Sequence, residues 1–152
     1  MASSAAELET RTEAGHQTSL LYAVKRVELA VRSHLDDLLR PSGITALQYT
    51  ALTVLERHDG MPAAQLARNS FVTAQSMADM VQTLGQRGLI VRDRNPRNRR
   101  ELLIRLTAAG RQLLADHAED VAALEDRMVS KLSPRQVGQL RSGLAAAYRA
   151  LS

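Results

Sequence analysis

Arginine is concentrated in one short segment of the chain. Residues 87–105 contain seven arginines against two acids, Asp93 and Glu101, so this segment has a net charge of +5 and the rest of the chain sums to −1. A guanidinium can bind a phosphate through two parallel hydrogen bonds, and a local excess of arginine in a nearly neutral chain is typical of a polyanion-binding surface. The aromatic content of 3% is too low for base stacking on RNA or single strands.

Residue types that carry catalysis or bind metals form no recognisable pattern. The chain has no cysteine, which excludes disulfides, thiol nucleophiles, iron–sulfur clusters and cysteine-ligated zinc. There is no phosphate-cradling glycine loop and no nucleophile elbow. We therefore expect no enzyme activity, no cofactor and no metal site. The histidines are far apart and lack the spacing of metal ligands; they are His16, His34, His58 and His117.

Length and composition are those of a soluble folded domain. The chain has 152 residues, of which 45% are apolar and 24% charged, and this size suits one domain. No stretch approaches the ~20 consecutive apolar residues of a membrane span. Residues 1–17 are polar and lack the apolar region of a secretory signal. We expect these residues to form a flexible leader, and the protein to be cytoplasmic and independent of membranes.

Apolar residues recur at helical spacing over most of the chain. From Leu20 to Leu38 they follow steps of three and four, which predicts one long helix that ends before Pro41. Capping boxes, in which two side chains satisfy free backbone N–H groups, are predicted where Thr45 precedes Gln48 and where Ser133 precedes Gln136. The starts of the second to sixth helices are predicted near Thr45, Pro62, Thr73, Thr107 and Ser133.

The same spacing predicts which side chains are buried. Leu47 is expected to face inward in the second helix, which ends before Asp59-Gly60, and Met77 and Met80 are expected to face inward in the fourth. Phe71 is expected to pack beneath the turn that precedes the fourth helix.

A β-hairpin is predicted between the fourth and fifth helices. Residues 89–94 and 101–106 are rich in β-branched and leucine residues, and they flank a Pro/Asn-containing loop at residues 95–100. Three short helices followed at once by a basic hairpin are the order of a winged helix-turn-helix, predicted over residues 44–106. The predicted fold is thus mainly α with a small β-hairpin wing.

This arrangement could bind double-stranded DNA. A helix fits the ~12 Å major groove, and side chains of its first turns reach base edges. Gln75 matches the N6 and N7 atoms of adenine, and the neighbouring arginines can bind phosphates or enter the minor groove. The predicted contacts of the fourth helix are Thr73, Ala74, Gln75, Ser76 and Asp79. The predicted contacts of the wing are Arg94, Arg97, Asn98, Arg99 and Arg100.

The helices at the two ends of the chain have long apolar stripes and no evident partner in a monomer. We expect residues 18–40 and 107–152 to form a helical dimerisation region, because a two-fold homodimer matches a palindromic operator. An alternative is a helical protein-interaction module that uses the winged-helix scaffold without binding DNA. The acid at Asp79 in the predicted DNA-contacting helix is the best support for this alternative.

The chain resembles the MarR family of transcriptional regulators over residues 18–150. The resemblance lies in the order of elements and in five segments: Gly43–Tyr49, Leu66–Ala67, Leu84–Arg92, Asn98–Arg100 and Leu106–Gly110. It implies a homodimer, a palindromic double-stranded DNA site, and repression relieved by a small organic ligand. It also places Thr73, Gln75, Ser76 and Asp79 at contact positions of the recognition helix, and Arg97, Arg99 and Arg100 on the wing.

The sequence departs from the family pattern at three positions. The family's wing usually reads Asp-Pro-x-Asp-Arg-Arg, whereas Asn95 and Asn98 stand in place of the two aspartates. These asparagines can still hydrogen-bond the turn. Asp79 stands where a basic or neutral residue is common in the family. It could accept a hydrogen bond from a cytosine amine, or pair with a nearby arginine and leave the DNA untouched.

The resemblance also suggests where an effector would bind. The expected site is the crevice where the first, second and fifth helices meet the DNA-binding part, and a pocket between helices is the physical default. An arginine there could bind a carboxylate through two hydrogen bonds. The candidate pocket residues for an aromatic or anionic ligand are Arg26, Arg32, His34, Tyr49 and Arg111.

Overall fold

The computed structural model describes residues 19–152, so the predicted leader at residues 1–17 lies outside the described residues. The chain divides into two units, the first ending at His34 and the second comprising Leu35–Ser152. The described elements are α1 (Leu20–Leu39), a 3-10 turn (Arg40–Ser42), α2 (Ala46–Arg57), α3 (Ala63–Asn69), α4 (Ala74–Gln86), β1 (Ile90–Asn95), β2 (Asn98–Leu106), α5 (Ala108–Met128) and α6 (Pro134–Leu151). The prediction of a mainly α fold with a β-hairpin is confirmed.

Side-chain caps begin α2, α4, α5 and α6 at the predicted positions, whereas α3 begins after Pro62 without one. The Thr45 hydroxyl accepts the backbone N–H of Gln48 at 3.1 Å, and the Gln48 side chain accepts the N–H of Thr45 at 3.0 Å. Ser133 and Gln136 form the equivalent pair at the start of α6, at 3.2 and 2.9 Å. Both predicted capping boxes are confirmed. Each contributes roughly 1 kcal/mol to its helix, because it pairs two donors that the helix itself leaves free.

The hairpin is longer than predicted. The strands pair in antiparallel register from Ile90 opposite Leu106 to Asn95 opposite Asn98. Only Pro96 and Arg97 are left between the strands, so the predicted loop at residues 95–100 was too long. At its base the hairpin joins the loop before α3, where Met61 donates to the Ile104 carbonyl at 3.2 Å and accepts from the Ile104 N–H at 2.8 Å. These bonds fix the hairpin to the helical body.

The core of the second unit lies between α2, α3, α4, the hairpin and the start of α5. The methionines of α4, Met77 and Met80, are buried as expected. Two apolar positions differ from the predicted stripes. Leu47 is 36% exposed whereas Leu52 is fully buried, and Phe71, expected to pack beneath the turn before α4, is 73% exposed. Phe71 instead contacts Tyr148 edge to face, with ring centroids 6.2 Å apart.

Gly110 is a point of close approach between α5 and the hairpin. A Cβ at this position would lie 2.3 Å from the carbonyl oxygen of Leu89 and 2.6 Å from Cδ1 of Leu106. We expect Gly110→Ala to lower the free energy of unfolding by ~1–3 kcal/mol, because the backbone at Leu89, just before β1, has to move away. Urea unfolding monitored by circular dichroism measures the change.

Gly85→Ala in α4 is the matched control. Within residues 19–152, no atom outside the immediate helix lies within 4 Å of a Cβ at Gly85. Alanine is the better helix former, so this variant should be neutral or more stable by up to ~1 kcal/mol. If Gly110→Ala and Gly85→Ala lowered the free energy of unfolding equally, the close contact at Gly110 would not be what limits the packing of α5 on the hairpin.

Candidate nucleic-acid interface

One side of α4 packs in the core and the other is exposed and mostly uncharged. Met77, Met80, Val81 and Leu84 are buried and fix the rotation of the helix. Thr73 caps its first turn, since the Thr73 hydroxyl accepts the Ser76 N–H at 3.1 Å. The predicted contact residues of this element are all exposed: Thr73, Ala74, Gln75, Ser76 and Asp79. The helix thus presents amide, hydroxyl and carboxylate groups together.

The arginines of the hairpin are available to bind an anion. The five between Arg92 and Arg100 are exposed. Within residues 19–152 none of them has a carboxylate oxygen within 4.0 Å. Arg105 differs, since its guanidinium lies 3.3 Å from the Asp93 carboxylate near the base of the hairpin. Four unpaired arginines are among the predicted wing residues, namely Arg94, Arg97, Arg99 and Arg100.

The tip of the hairpin is held by its two asparagines. The Asn95 side-chain oxygen accepts the N–H of Arg97 at 2.9 Å, and that of Asn98 accepts the N–H of Arg100 at 3.2 Å. The Asn95 amide also donates to the Glu101 carboxylate at 2.8 Å across the hairpin. Asparagine therefore supplies the acceptor that an aspartate would supply, together with a donor that aspartate lacks.

A change at Asn95 tests this account of the tip. In Asn95→Asp a carboxylate oxygen would replace the amide that now donates to Glu101, so two like charges would face each other. We expect the backbone amides of the tip to exchange with deuterium about 5- to 10-fold faster, which corresponds to losing one ordinary hydrogen bond of roughly 1 kcal/mol at an exposed site. Hydrogen exchange followed by mass spectrometry gives the rate.

The double variant Asn95→Asp with Glu101→Gln is the control, because it keeps the net charge and reverses the direction of the hydrogen bond. It should restore slow exchange. Exchange that is equally fast in the single and double variants would mean that the contact between Asn95 and Glu101 does not order the tip.

Asp59 connects the base of the hairpin to α5. One of its carboxylate oxygens accepts the Leu106 N–H at 2.9 Å, and the other lies 3.3 Å from the Arg111 guanidinium. Gly60 follows with a φ of +78°, and the Arg105 side chain packs where a Cβ would lie. In the sequence, Asp59-Gly60 indicated only the end of a helix. Its role at the base of the hairpin was missed because Asp59 and Leu106 are 47 residues apart.

A second set of contacts fixes the end of α4. Arg87, its C-cap residue, donates to the Gly43 carbonyl at 2.9 Å and to the Ser42 carbonyl. The Ser42 hydroxyl shares a hydrogen bond of 2.6 Å with Nε2 of the buried His117 on α5. Through the turn that follows α1, these side chains connect α4 to α5.

The three arginines among the predicted pocket residues each have a local partner. In the first unit, Arg32 forms an ion pair with Glu28 and lowers the pKa of that carboxyl, and the Arg26 guanidinium lies 5.9 Å from the Tyr22 ring centroid. His34 is exposed.

In the second unit, Arg111 pairs with Asp59. Burial raises the pKa of the Tyr49 phenol, and the Glu56 charge adds to this effect. No hydrogen bond joins Tyr49 to Arg111 in the described part of the chain. In each unit an anion bound at the arginine would compete with the carboxylate that now pairs with it, and the pocket stays a prediction.

Known transcriptional regulators are similar to this chain in sequence. The model of the MarR family matches residues 44–102. The transcriptional repressor Rv2887 of Mycobacterium tuberculosis is 30% identical over 115 residues, which are 76% of this chain and 83% of the repressor. The organic hydroperoxide resistance transcriptional regulator of Bacillus subtilis is 31% identical over 125 residues, 82% of each chain.

Solved structures extend the similarity to the fold. The transcriptional repressor CouR, bound to a 23-mer DNA duplex, is 31% identical with a TM-score of 0.75, over 86% of this chain and 92% of CouR. Rv2887 in complex with salicylic acid is 28% identical with a TM-score of 0.70, over 86% of this chain and 97% of Rv2887. Among residues 19–152, none of the helices combines the length and the hydropathy that a membrane span requires.

Proposed function

This chain belongs to the MarR family, and on that premise we propose that it is a sequence-specific repressor that binds a palindromic site on double-stranded DNA as a homodimer. We place it in the cytoplasm and assign it no catalytic role. An organic anion releases it from the DNA. Support comes from the regulators to which it is similar, one of them solved on a DNA duplex and another with salicylic acid.

The observation that carries the proposal is that two surfaces of complementary type lie on one compact unit, Leu35–Ser152. The uncharged polar face of α4 suits base edges in the major groove, and the unpaired arginines of the hairpin suit phosphates or the minor groove. Asp59 and the backbone bonds between Met61 and Ile104 fix the hairpin to the body that also holds α4. The helix and the wing can therefore contact one duplex together.

The homodimer is supported by α6. Within residues 19–152 no side chain of α6 is buried, although the helix has an apolar stripe formed by Leu140, Leu144, Tyr148 and Leu151. A stripe of this kind is stable in water only when something covers it. A second copy of the chain would cover it and would place two α4 helices on one duplex, as a palindromic site requires.

The response to a ligand follows from the geometry of such a dimer. Two recognition helices have to lie about 34–36 Å apart to enter successive major grooves. A ligand that binds more tightly to a dimer with another spacing lowers DNA affinity by the difference between its two affinities, and by no more. The ligand is proposed to be an aromatic carboxylate or a similar lipophilic anion.

Fluorescence anisotropy with a labelled duplex of mixed sequence tests the proposed function. With three wing arginines from each protomer on phosphates, log K against log salt should have a slope of about −5. Millimolar salicylate should weaken binding at constant salt. A protein that leaves the duplex free at micromolar concentration and low salt would instead be the protein-interaction module. A flat response to salicylate and related phenolic acids would refute the proposed release by an organic anion.

A further inference from the structure

Asp79 is the only charged residue in α4. An exposed acid on a helix that lies in a DNA groove is repelled by the phosphates, and this repulsion weakens binding to every sequence unless the DNA donates a hydrogen bond to it. We propose that Asp79 determines sequence specificity by accepting a hydrogen bond from the N4 amino group of a cytosine in the major groove. This inference rests on the proposed DNA-binding function and adds the base that the helix selects.

The protein itself does not neutralise the Asp79 carboxylate. Within residues 19–152 it has no lysine or arginine nitrogen within 4.0 Å. Thr83 donates to the backbone carbonyl of Asp79, at 3.0 Å, and not to its carboxylate. Arg87, at the end of the same helix, is bound to the carbonyls of Ser42 and Gly43. The described chain thus leaves both carboxylate oxygens able to accept a hydrogen bond from another molecule.

Cytosine is the base that suits a carboxylate. In the major groove it presents only an amino donor, whereas guanine presents two acceptors and thymine presents an acceptor and a methyl group. Adenine has a donor, but its N7 acceptor lies beside it and would repel the second carboxylate oxygen. A carboxylate therefore favours cytosine and disfavours each alternative, which gives specificity rather than affinity.

The position of Asp79 relative to Gln75 locates the selected base. The two residues are four apart on the exposed side of α4, so they lie one above the other on the same face. Their separation along the helix axis is about 6 Å. Since base pairs are about 3.4 Å apart, the cytosine should lie within about two base pairs of the base that Gln75 contacts.

Selection of bound sequences from a randomised duplex pool tests the inference. The wild-type protein should enrich cytosine at one position of each half-site by roughly 5- to 150-fold over the other bases. Asp79→Ala should lose this preference alone and bind unselected DNA more tightly. Asp79→Asn should shift it towards adenine, because an asparagine amide matches N6 and N7. Asp126→Ala, which removes an exposed acid from α5, should leave the selected sequence unchanged.

The results that would contradict DNA binding differ from those that would contradict the role of Asp79. If neither the wild type nor any variant binds duplex DNA, the proposed function is wrong. If the wild type selects a defined site and Asp79→Ala selects the same site with the same base preferences, DNA binding stands and the role of Asp79 is overturned. An Asp79→Ala variant that loses preference at every position equally would also overturn it, because that pattern indicates a displaced helix.

Discussion

Replacing Arg97, Arg99 and Arg100 together by alanine should lower the affinity for duplex DNA by about 10²- to 10⁴-fold. A dimer would lose six phosphate or minor-groove contacts, and an exposed charged contact is worth ~0.5–1 kcal/mol. The loss should be greatest at low salt, and the salt slope should become shallower by about 5. Fluorescence anisotropy at several salt concentrations measures both quantities.

The fold itself should be unaffected by this change. All three side chains are exposed and, within residues 19–152, unpaired with any carboxylate, so circular dichroism and the thermal midpoint should match those of the wild type. The control replaces three exposed cations at the junction of α5 and α6, Arg127, Lys131 and Arg135. If both triple variants lose the same affinity, net charge rather than the wing drives binding.

A glutamate at Leu144 should separate the proposed dimer. Leu144 is 49% exposed and lies within the apolar stripe of α6. Because Leu144 is already half-buried, each copy that is covered in an interface contributes about 0.8–1.5 kcal/mol, and a two-fold interface contains two copies. Together with the cost of burying two carboxylates, Leu144→Glu should raise the dimer dissociation constant by at least ~10³-fold. Sedimentation equilibrium measures this constant.

DNA binding should decline together with dimerisation. A single chain contacts one half-site, so it loses the advantage of two linked contacts. Ser142→Glu is the control, because Ser142 lies about 200° around α6 from Leu140, on the opposite side of the helix. That variant should remain dimeric. A Leu144→Glu protein that stays dimeric would place the interface elsewhere.

Local signals in the sequence predicted most of the fold. The capping pairs at Thr45 and Ser133 depend on residues three apart, so they could be recognised without the tertiary structure. The buried face of α4 also followed from spacing alone. The loop of the hairpin was predicted too long because Pro96 and its neighbours favour turns. In the structure the strands continue to the pair formed by Asn95 and Asn98, and the side chains of both asparagines hydrogen-bond nearby backbone.

Contacts between distant residues could not be predicted in this way. Arg87 looked like one more cation in a basic segment, yet its guanidinium binds a carbonyl 44 residues away. Asp59 had no local feature that distinguished it from other turn residues. Phe71 was expected in the core because of its residue type, but its φ of +61° and its contact with Tyr148 accompany an exposed position. Whether such a side chain is buried or hydrogen-bonded depends on contacts with distant parts of the chain.

The structure removes one of the two roles that the sequence allowed for Asp79. The sequence left open a contact with cytosine or an ion pair with a nearby arginine. The described residues supply no such arginine partner, since the closest candidate in the sequence, Arg87, binds two carbonyls. The remaining alternatives differ in the DNA sequence that the protein selects, and selection experiments separate them.

Hydroxyl-radical footprinting on a selected DNA site tests the central claim most directly, namely that two copies of this chain hold two α4 helices and two wings on one face of a duplex. We predict two protected patches with centres about 10–10.5 base pairs apart, flanked by protection where the wings lie. A single protected patch, or protection spread evenly around the duplex, would contradict the account.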